Sequence, residues 1–126
     1  MMKEKSIDSV GQEIKRILWK ERKFIDPEYN ETQLALDLNL SRRKLRLALS
    51  DYFQAWYSRL CNKFRIQEAK RILALPACNS LKIEDIALIC GFNNRQTFTF
   101  VFDKEVGMSP HKYKMLQDEE LQIHTK

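Results

Sequence analysis

Glycine and proline are scarce in this chain, three of each among 126 residues. So few turn-formers exclude a many-stranded β protein. The abundance of Leu, Ile, Lys, Arg and Glu favours an all-helical fold instead. Cysteine is equally sparse: Cys61, Cys78 and Cys90 are an odd number without a CxxC pair. That argues against a disulfide framework and fits a reducing cytoplasm. His111 and His124 lie too far from any cysteine cluster to suggest zinc. No apolar run reaches the ~18 residues that would cross a bilayer. The start is charged from Lys3 to Lys5 with no apolar stretch behind it, so no signal peptide is expected. Phosphate-cradling glycine loops and nucleophile elbows are missing too. Two histidines and scattered acids without catalytic spacing give no support to an enzyme, a metal site or a bound cofactor.

What is present suits one domain, or two small lobes sharing one long element. Apolar residues make up 44% of the chain, enough for a globular core. The net charge of +5 is weak information alone, but its distribution is sharper. From Arg42 to Arg71 there are nine basic residues and two acidic ones, a local +7 that leaves −2 for the rest. A basic middle is the footprint of a polyanion partner.

Ile7, Val10, Ile14, Ile17 and Leu18 recur at helical spacing, which predicts a first amphipathic helix from Ile7 to Arg22. Asp26-Pro27 breaks it. Asn30 or Thr32 caps a short helix ending near Leu38. After the turn Asn39-Leu40-Ser41, Ser41 caps a helix from Arg42 to about Asp51 that buries Leu45, Ala48 and Leu49. The longest helix is expected from Trp56 or Tyr57 to Leu75, stopped by Pro76. Ser80 or Lys82 starts the next unit, whose short helix is lined by Ile83, Ile86, Ala87 and Cys90. Gly91 marks a turn, Asn94 caps a helix that Gly107 stops, and Ser109-Pro110 opens the last helix. The polar stretch from Gln117 to Lys126 is expected to fray.

One plan occurs twice. Ala35, Asn39, Ser41 and Leu45 parallel Ala87, Gly91, Asn94 and Phe98, with the second turn one residue longer. Each alanine suits a close helix crossing. Asn39 and Gly91 suit a left-handed helix end. Aligned on their caps, Arg42, Arg43 and Arg46 correspond to Arg95, Gln96 and Thr99. These are the outward positions of the first turns, which meet base edges when a helix-turn-helix docks in a DNA groove.

The string I-x-x-I-A-x-x-x-G-F-x-x-x-x-x-F-x-x-x-F-x-x-x-x-G-x-S-P-x-x-Y runs from Ile83 to Tyr113. With Asn62, Arg65, Ile66, Ala69 and Leu73 in the long helix, the chain resembles the AraC/XylS-type transcription regulators from about Glu31 to Lys114. The resemblance implies an all-α domain of about seven helices: two helix-turn-helix lobes (7–53 and 79–116) joined by a linker helix (54–76), with a tail at 117–126. It also implies double-stranded DNA as partner, admits RNA polymerase as a second one, and suggests a monomer or weak dimer. A helix of about twenty residues is roughly 30 Å long, close to the ~34 Å between successive major grooves on one face of DNA. One chain could thus read two grooves.

Departures from the family pattern bear on specificity. Position 54 usually carries glycine; here it is Gln54, and a left-handed Gln would cost about 1 kcal/mol, which leaves the form of that turn open. Leu47 and Phe100 stand where the family often has arginine. They either pack on a neighbouring helix or meet thymine methyls. Trp56 replaces a small polar residue and is expected to pack, with a sugar-phosphate contact as the alternative. Trp19 is expected in the core or facing a partner, and His111 at the surface. For Lys63, Arg65, Lys70 and Arg71 an ordinary solvated helix face is expected rather than a DNA contact, with Arg65 making structural hydrogen bonds between the lobes.

The expected DNA-binding residues are Arg42, Arg43, Lys44, Arg46, Asn94, Arg95, Gln96, Thr97 and Thr99. Arg43 and Arg46 point toward bases, and Arg42 and Lys44 toward phosphates. The competing reading is a helix-turn-helix module used for protein–protein contact. A module that only binds protein has no need for two polar, basic reading faces. With no room for a sensor domain, the chain is expected to be either an excised effector domain or a small stand-alone regulator.

Overall fold

The computed structural model describes residues 7 to 124. The charged start at Lys3 to Lys5 and the last two residues of the tail lie outside the described residues. Seven α-helices and no strand occur among the described residues: α1 (Ile7–Lys15), α2 (Glu31–Asp37), α3 (Arg42–Ala48), α4 (Tyr57–Leu73), α5 (Ile83–Ile89), α6 (Arg95–Val106) and α7 (Pro110–His124). The chain divides into two units, residues 1–64 and 65–126. The division falls within α4.

The first unit has a mainly aliphatic core. Val10, Ile14, Ile17 and Leu18 meet Leu34, Ala35 and Leu38 of α2, Leu45, Ala48 and Leu49, and Leu60, Cys61 and Phe64 of α4. Trp19 packs beside this core, stacked on Phe24 at 5.4 Å and tilted against Phe64 at 5.4 Å. The first amphipathic segment is not one regular helix to Arg22. Its α-helix ends at Lys15, a π-helical turn covers Arg16–Lys20, and Arg22 is left-handed at φ 60°. The helix from Arg42 likewise gives way to a π-helical turn at Leu49–Phe53. That turn lays the Tyr52 ring over the buried Gly11 of α1, so closely that a Cβ on Gly11 would sit within 3.0 Å of the ring. Only glycine fits there, although glycine is a poor residue inside a helix.

Gln54 adopts the left-handed conformation (φ 54°, ψ 37°), as a glycine would. Its side-chain amide donates to the Asp51 carbonyl at 2.9 Å, which helps to hold it there. Trp56 does not pack as expected and is 65% exposed. Its carbonyl accepts from Leu60 N–H as the first bond of the following helix, so its side chain springs from the flanking position rather than from the buried face.

The second unit has a mixed core. Ile66, Ala69, Ile72 and Leu73 of α4 meet Ile86, Ala87, Cys90, Phe92, Phe98 and Phe102. Four rings form a chain, Phe92–Phe98–Phe102–Tyr113, with neighbouring centroids 5.3, 5.7 and 5.6 Å apart. The long helix stops at Leu73, short of the expected Leu75, because the residue before Pro76 is pushed to extended backbone (φ −84°, ψ 132°). Arg65 lies with its guanidinium 5.7 Å from the Phe92 ring centre, a contact within this unit. Glu68 is buried and paired with Arg71. The tail expected to fray continues as helix to His124. The segment from Gln117 is made of good helix formers with no Gly or Pro. Lys114 ties α7 to the chain just past the end of the long helix through the Leu75 carbonyl at 3.3 Å and pairs within α7 with Asp118 at 3.2 Å.

Candidate nucleic-acid interface

Each unit builds its reading helix by the same local chemistry. At the end of α2 the N–H of Leu40 reaches the Ala35 carbonyl at 2.9 Å and that of Asn39 reaches Leu36 at 3.0 Å. At the end of α5 the N–H of Phe92 reaches Ala87 at 2.9 Å and that of Gly91 reaches Leu88 at 3.1 Å. These are paired 6→1 and 5→2 bonds closed by a left-handed residue. Asn39 supplies it at φ 55° and Gly91 at φ 98°. The alanine four residues earlier is buried in both cases, at 3% and 0% exposure, so its carbonyl and its small side chain are used together.

The next helix then starts on a side-chain cap. Ser41 Oγ accepts from Lys44 N–H at 3.1 Å, and Asn94 Oδ1 accepts from Thr97 N–H at 2.8 Å. Such caps are worth roughly 1 kcal/mol each. Asn30, not Thr32, caps α2 through Gln33 N–H at 2.8 Å. At α5 the cap position is Lys82, which offers no side-chain acceptor. Asp85 reaches back to its N–H at 3.0 Å, half of a capping box. Leu45 and Phe98, the fourth residue of each reading helix, are fully buried and fix its rotation.

With that rotation fixed, Arg42, Arg43, Lys44 and Arg46 are exposed on α3, and Arg95, Gln96 and Thr97 on α6. Thr99 is only half-buried, and the exposed Asn94 has its side-chain oxygen committed to capping. Leu47 and Phe100 do not pack into a core; they are 55% and 68% exposed.

The sequence reading missed the acids beside these cations. Glu31 accepts from Arg46 Nε at 2.9 Å and lies 3.8 Å from Arg42. Glu84 lies 3.9 Å from Arg95. Both acids occupy the first turn of the helix before the reading helix, where a carboxylate is favoured by the helix dipole. That preference was the available signal, but it does not say which cation the acid meets. Arg43 makes no ion pair among the described residues. Pairs of this kind contribute ~0–1 kcal/mol, so a competing anion can displace them. Three or more His, Cys, Asp or Glu placed to hold a metal do not occur among the described residues. No helix among them is long and apolar enough to cross a membrane.

A family model described as a helix-turn-helix domain matches residues 34–115. The F1 operon positive regulatory protein of Yersinia pestis is 31% identical over 116 residues, which cover 92% of this chain and 36% of that protein. The HTH-type transcriptional activator RhaS of Escherichia coli is 29% identical over 84% of this chain and 37% of its own length. The chain thus spans little more than a third of these curated relatives. In fold it is similar to the C-terminal domain of AraT, a response regulator from Geobacillus stearothermophilus (TM-score 0.74, 21% identity, 89% of this chain and 88% of that one). It is also similar to an AraC-type transcriptional regulator from Chromobacterium violaceum (TM-score 0.71, 20% identity, 85% and 95%). The doubled turn, cap and reading helix, and a family match spanning both copies, agree: the chain belongs to the AraC-type helix-turn-helix family of transcription regulators.

Proposed function

We propose that the chain binds duplex DNA sequence-specifically by setting α3 and α6 into successive major grooves, and that it regulates transcription through that contact. The observation that carries this reading is the repeated geometry: a capped helix, phased by one buried residue, with Arg42, Arg43 and Arg46 exposed in one copy and Arg95 and Gln96 exposed beside a half-buried Thr99 in the other. The basic middle of the chain supports a polyanion partner. The function is one of binding, without a cofactor or a chemical step. The setting is the bacterial cytoplasm, the chain acts as a monomer or weak dimer, and RNA polymerase is the partner a DNA-bound regulator would contact.

Within this reading Arg43, which makes no ion pair among the described residues, and Arg46 read bases in the first half-site. Arg42 and Lys44 hold phosphates. Arg95, Gln96 and Thr99 read the second half-site, with Asn94 and Thr97 near the backbone at its cap. Bidentate Arg to guanine discriminates by ~1–3 kcal/mol, while Thr chooses more weakly, so the first reading helix carries more sequence information.

The test is a randomised-site selection on the whole chain and its variants, followed by footprinting and salt titration. Two protected patches one helical turn apart at 1:1 stoichiometry are expected. Arg43→Ala and Arg46→Ala should relax base preference in one half-site and Arg95→Ala in the other. Lys44→Ala should weaken all sequences alike and reduce the salt slope by ~1. Affinity that is flat in salt, or Arg43→Ala and Arg46→Ala variants that select the parental sequence while Arg95→Ala disturbs both halves, would overturn the assignment.

A further inference from the structure

We infer that Leu47 and Phe100 are specificity-determining residues that read thymine through its C5 methyl group, one in each half-site. This deepens the reading of α3 and α6 as DNA-reading helices and rests on it. The two side chains occupy the same place in the two copies, the sixth residue of the reading helix counted from its cap. Each is four residues after a polar reading residue, Arg43 or Gln96, and therefore on the same helical face. Each also directly follows another, Arg46 or Thr99.

Both are large apolar groups left in water, 55% and 68% exposed. Neither belongs to the residues packed around its unit's core. One exposed leucine on a helix is ordinary. Two at the same position of two separately built helices, each flanked on its N-terminal side by the polar residues assigned to groove reading, call for one occupant. Charge decides which. In the first copy Arg42, Arg43, Lys44 and Arg46 stand beside one acid, Glu31, which meets Arg46 and Arg42; the net positive face suits a phosphate-lined groove and opposes burial in an apolar protein interface. Among the edges that DNA presents in the major groove, the thymine methyl is the apolar one. The same two helices thus combine hydrogen-bonding side chains for donors and acceptors with one apolar side chain for the methyl.

The test uses the whole chain and the site it selects, with each thymine replaced singly by deoxyuridine. That change removes one methyl and leaves every hydrogen-bonding atom in place. Loss of one buried methyl corresponds to roughly fourfold in affinity. We expect one thymine in each half-site to show a loss of about that size. Leu47→Ala should abolish the sensitivity in the first half-site only, and Phe100→Ala in the second only. Both positions are exposed, so the variants should retain the parent's far-UV circular dichroism; Leu47→Gln and Phe100→Leu provide a second pair, with the Leu variant keeping partial sensitivity. Specific binding that is indifferent to uracil at every position would overturn the inference and leave the DNA reading intact. Uracil sensitivity that survives both alanine changes, with self-association lost instead, would assign the side chains to a second copy of the chain. Absence of any duplex binding by the parent chain would remove the DNA reading and this inference together.

Discussion

Replacing Gly11 with alanine sets two effects of known size against each other. Gly11 lies inside α1, where alanine is better than glycine by about 1 kcal/mol on backbone propensity alone. From sequence, Gly11→Ala is therefore a stabilising change. The structure reverses the sign. The new methyl would stand within 3.0 Å of Cγ, Cδ1 and Cδ2 of Tyr52. Those atoms are the root of the ring, held by the backbone of the π-helical turn, and Tyr52 is itself packed edge-on against Phe53 at 4.7 Å. Forcing a methyl into such a contact costs ~1–3 kcal/mol. The net expectation is a loss of about 1 kcal/mol. In a Tyr52→Ala background the ring is gone and only propensity remains, so the same Gly11→Ala change should stabilise by about 1 kcal/mol. The swing between backgrounds, about 2 kcal/mol, is the coupling of the pair. Urea unfolding followed by tryptophan fluorescence measures it, because both tryptophans, Trp19 and Trp56, belong to the first unit. Trp19 is the reporter, stacked on Phe24. A Gly11→Ala variant more stable than the parent chain would refute the reasoning, since the ring would then have moved aside at no cost.

Gln54 offers a second stability test. Gln54→Ala keeps the left-handed backbone and loses the bond to the Asp51 carbonyl, a loss of about 0.5 kcal/mol for an exposed bond. Gln54→Gly relieves ~1–2 kcal/mol of left-handed strain and gives back ~0.4–1 kcal/mol through a freer unfolded chain. The glycine variant should thus exceed the alanine variant by about 0.5–1 kcal/mol in the same urea assay, and equal stabilities would contradict it. A third test concerns Asp37, whose carboxyl accepts from Tyr29 Oη at 2.7 Å and from Gln33 Nε2 at 2.8 Å. The bond from Tyr29, then that from Gln33, hold it below the usual carboxylate range. A depressed carboxyl contributes stability above its unfolded pKa and loses it as pH falls through the folded one. Tyr29→Phe should therefore move the Asp37 titration up toward its ordinary range and flatten the acid limb of stability. An Asp37 carbon chemical-shift titration unchanged in Tyr29→Phe would contradict the assignment.

Much of the architecture was legible because it depends on local chemistry. The turn residues Asn39 and Gly91, the caps Ser41 and Asn94, and the buried phases set by Leu45 and Phe98 follow from backbone preference and helical period, which a sequence displays directly. What was not legible depends on partners distant in sequence. Gly11 looks like a defect in a helix until Tyr52 is seen over it. Neither π-helical turn has a glycine or proline to announce it. Trp56, expected to pack with a sugar-phosphate contact as the alternative, is left in solvent by its place beside the helix start. At Leu47 and Phe100 the sequence allowed packing or exposure, and only the geometry of the fold decides between them.

The ion pairs show why comparing the two copies could not have found everything at the site. Arg42 and Arg95 are equivalent when the copies are aligned on their caps, and each has an acid nearby. The acids, however, are not equivalent. Aligned on Ala35 and Ala87, Glu31 corresponds to Ile83 and Glu84 to Thr32. Two different positions in the first turn of the preceding helix thus place a carboxylate beside the same arginine. Side-chain reach explains this, since a flexible glutamate and a flexible arginine tolerate a shift of one residue that a buried contact such as Ala35 or Ala87 does not. The consequence for function is unequal. Glu31 engages Arg46 as well as Arg42, at 2.9 Å against 3.9 Å for Glu84 and Arg95. Under the proposed DNA reading, Arg46 must leave that carboxylate before it takes a base, whereas Arg43 makes no ion pair among the described residues that it would have to break. On that reading Glu31 therefore favours Arg43 as the first base contact of α3 and makes the contribution of Arg46 the difference between a carboxylate and a base edge.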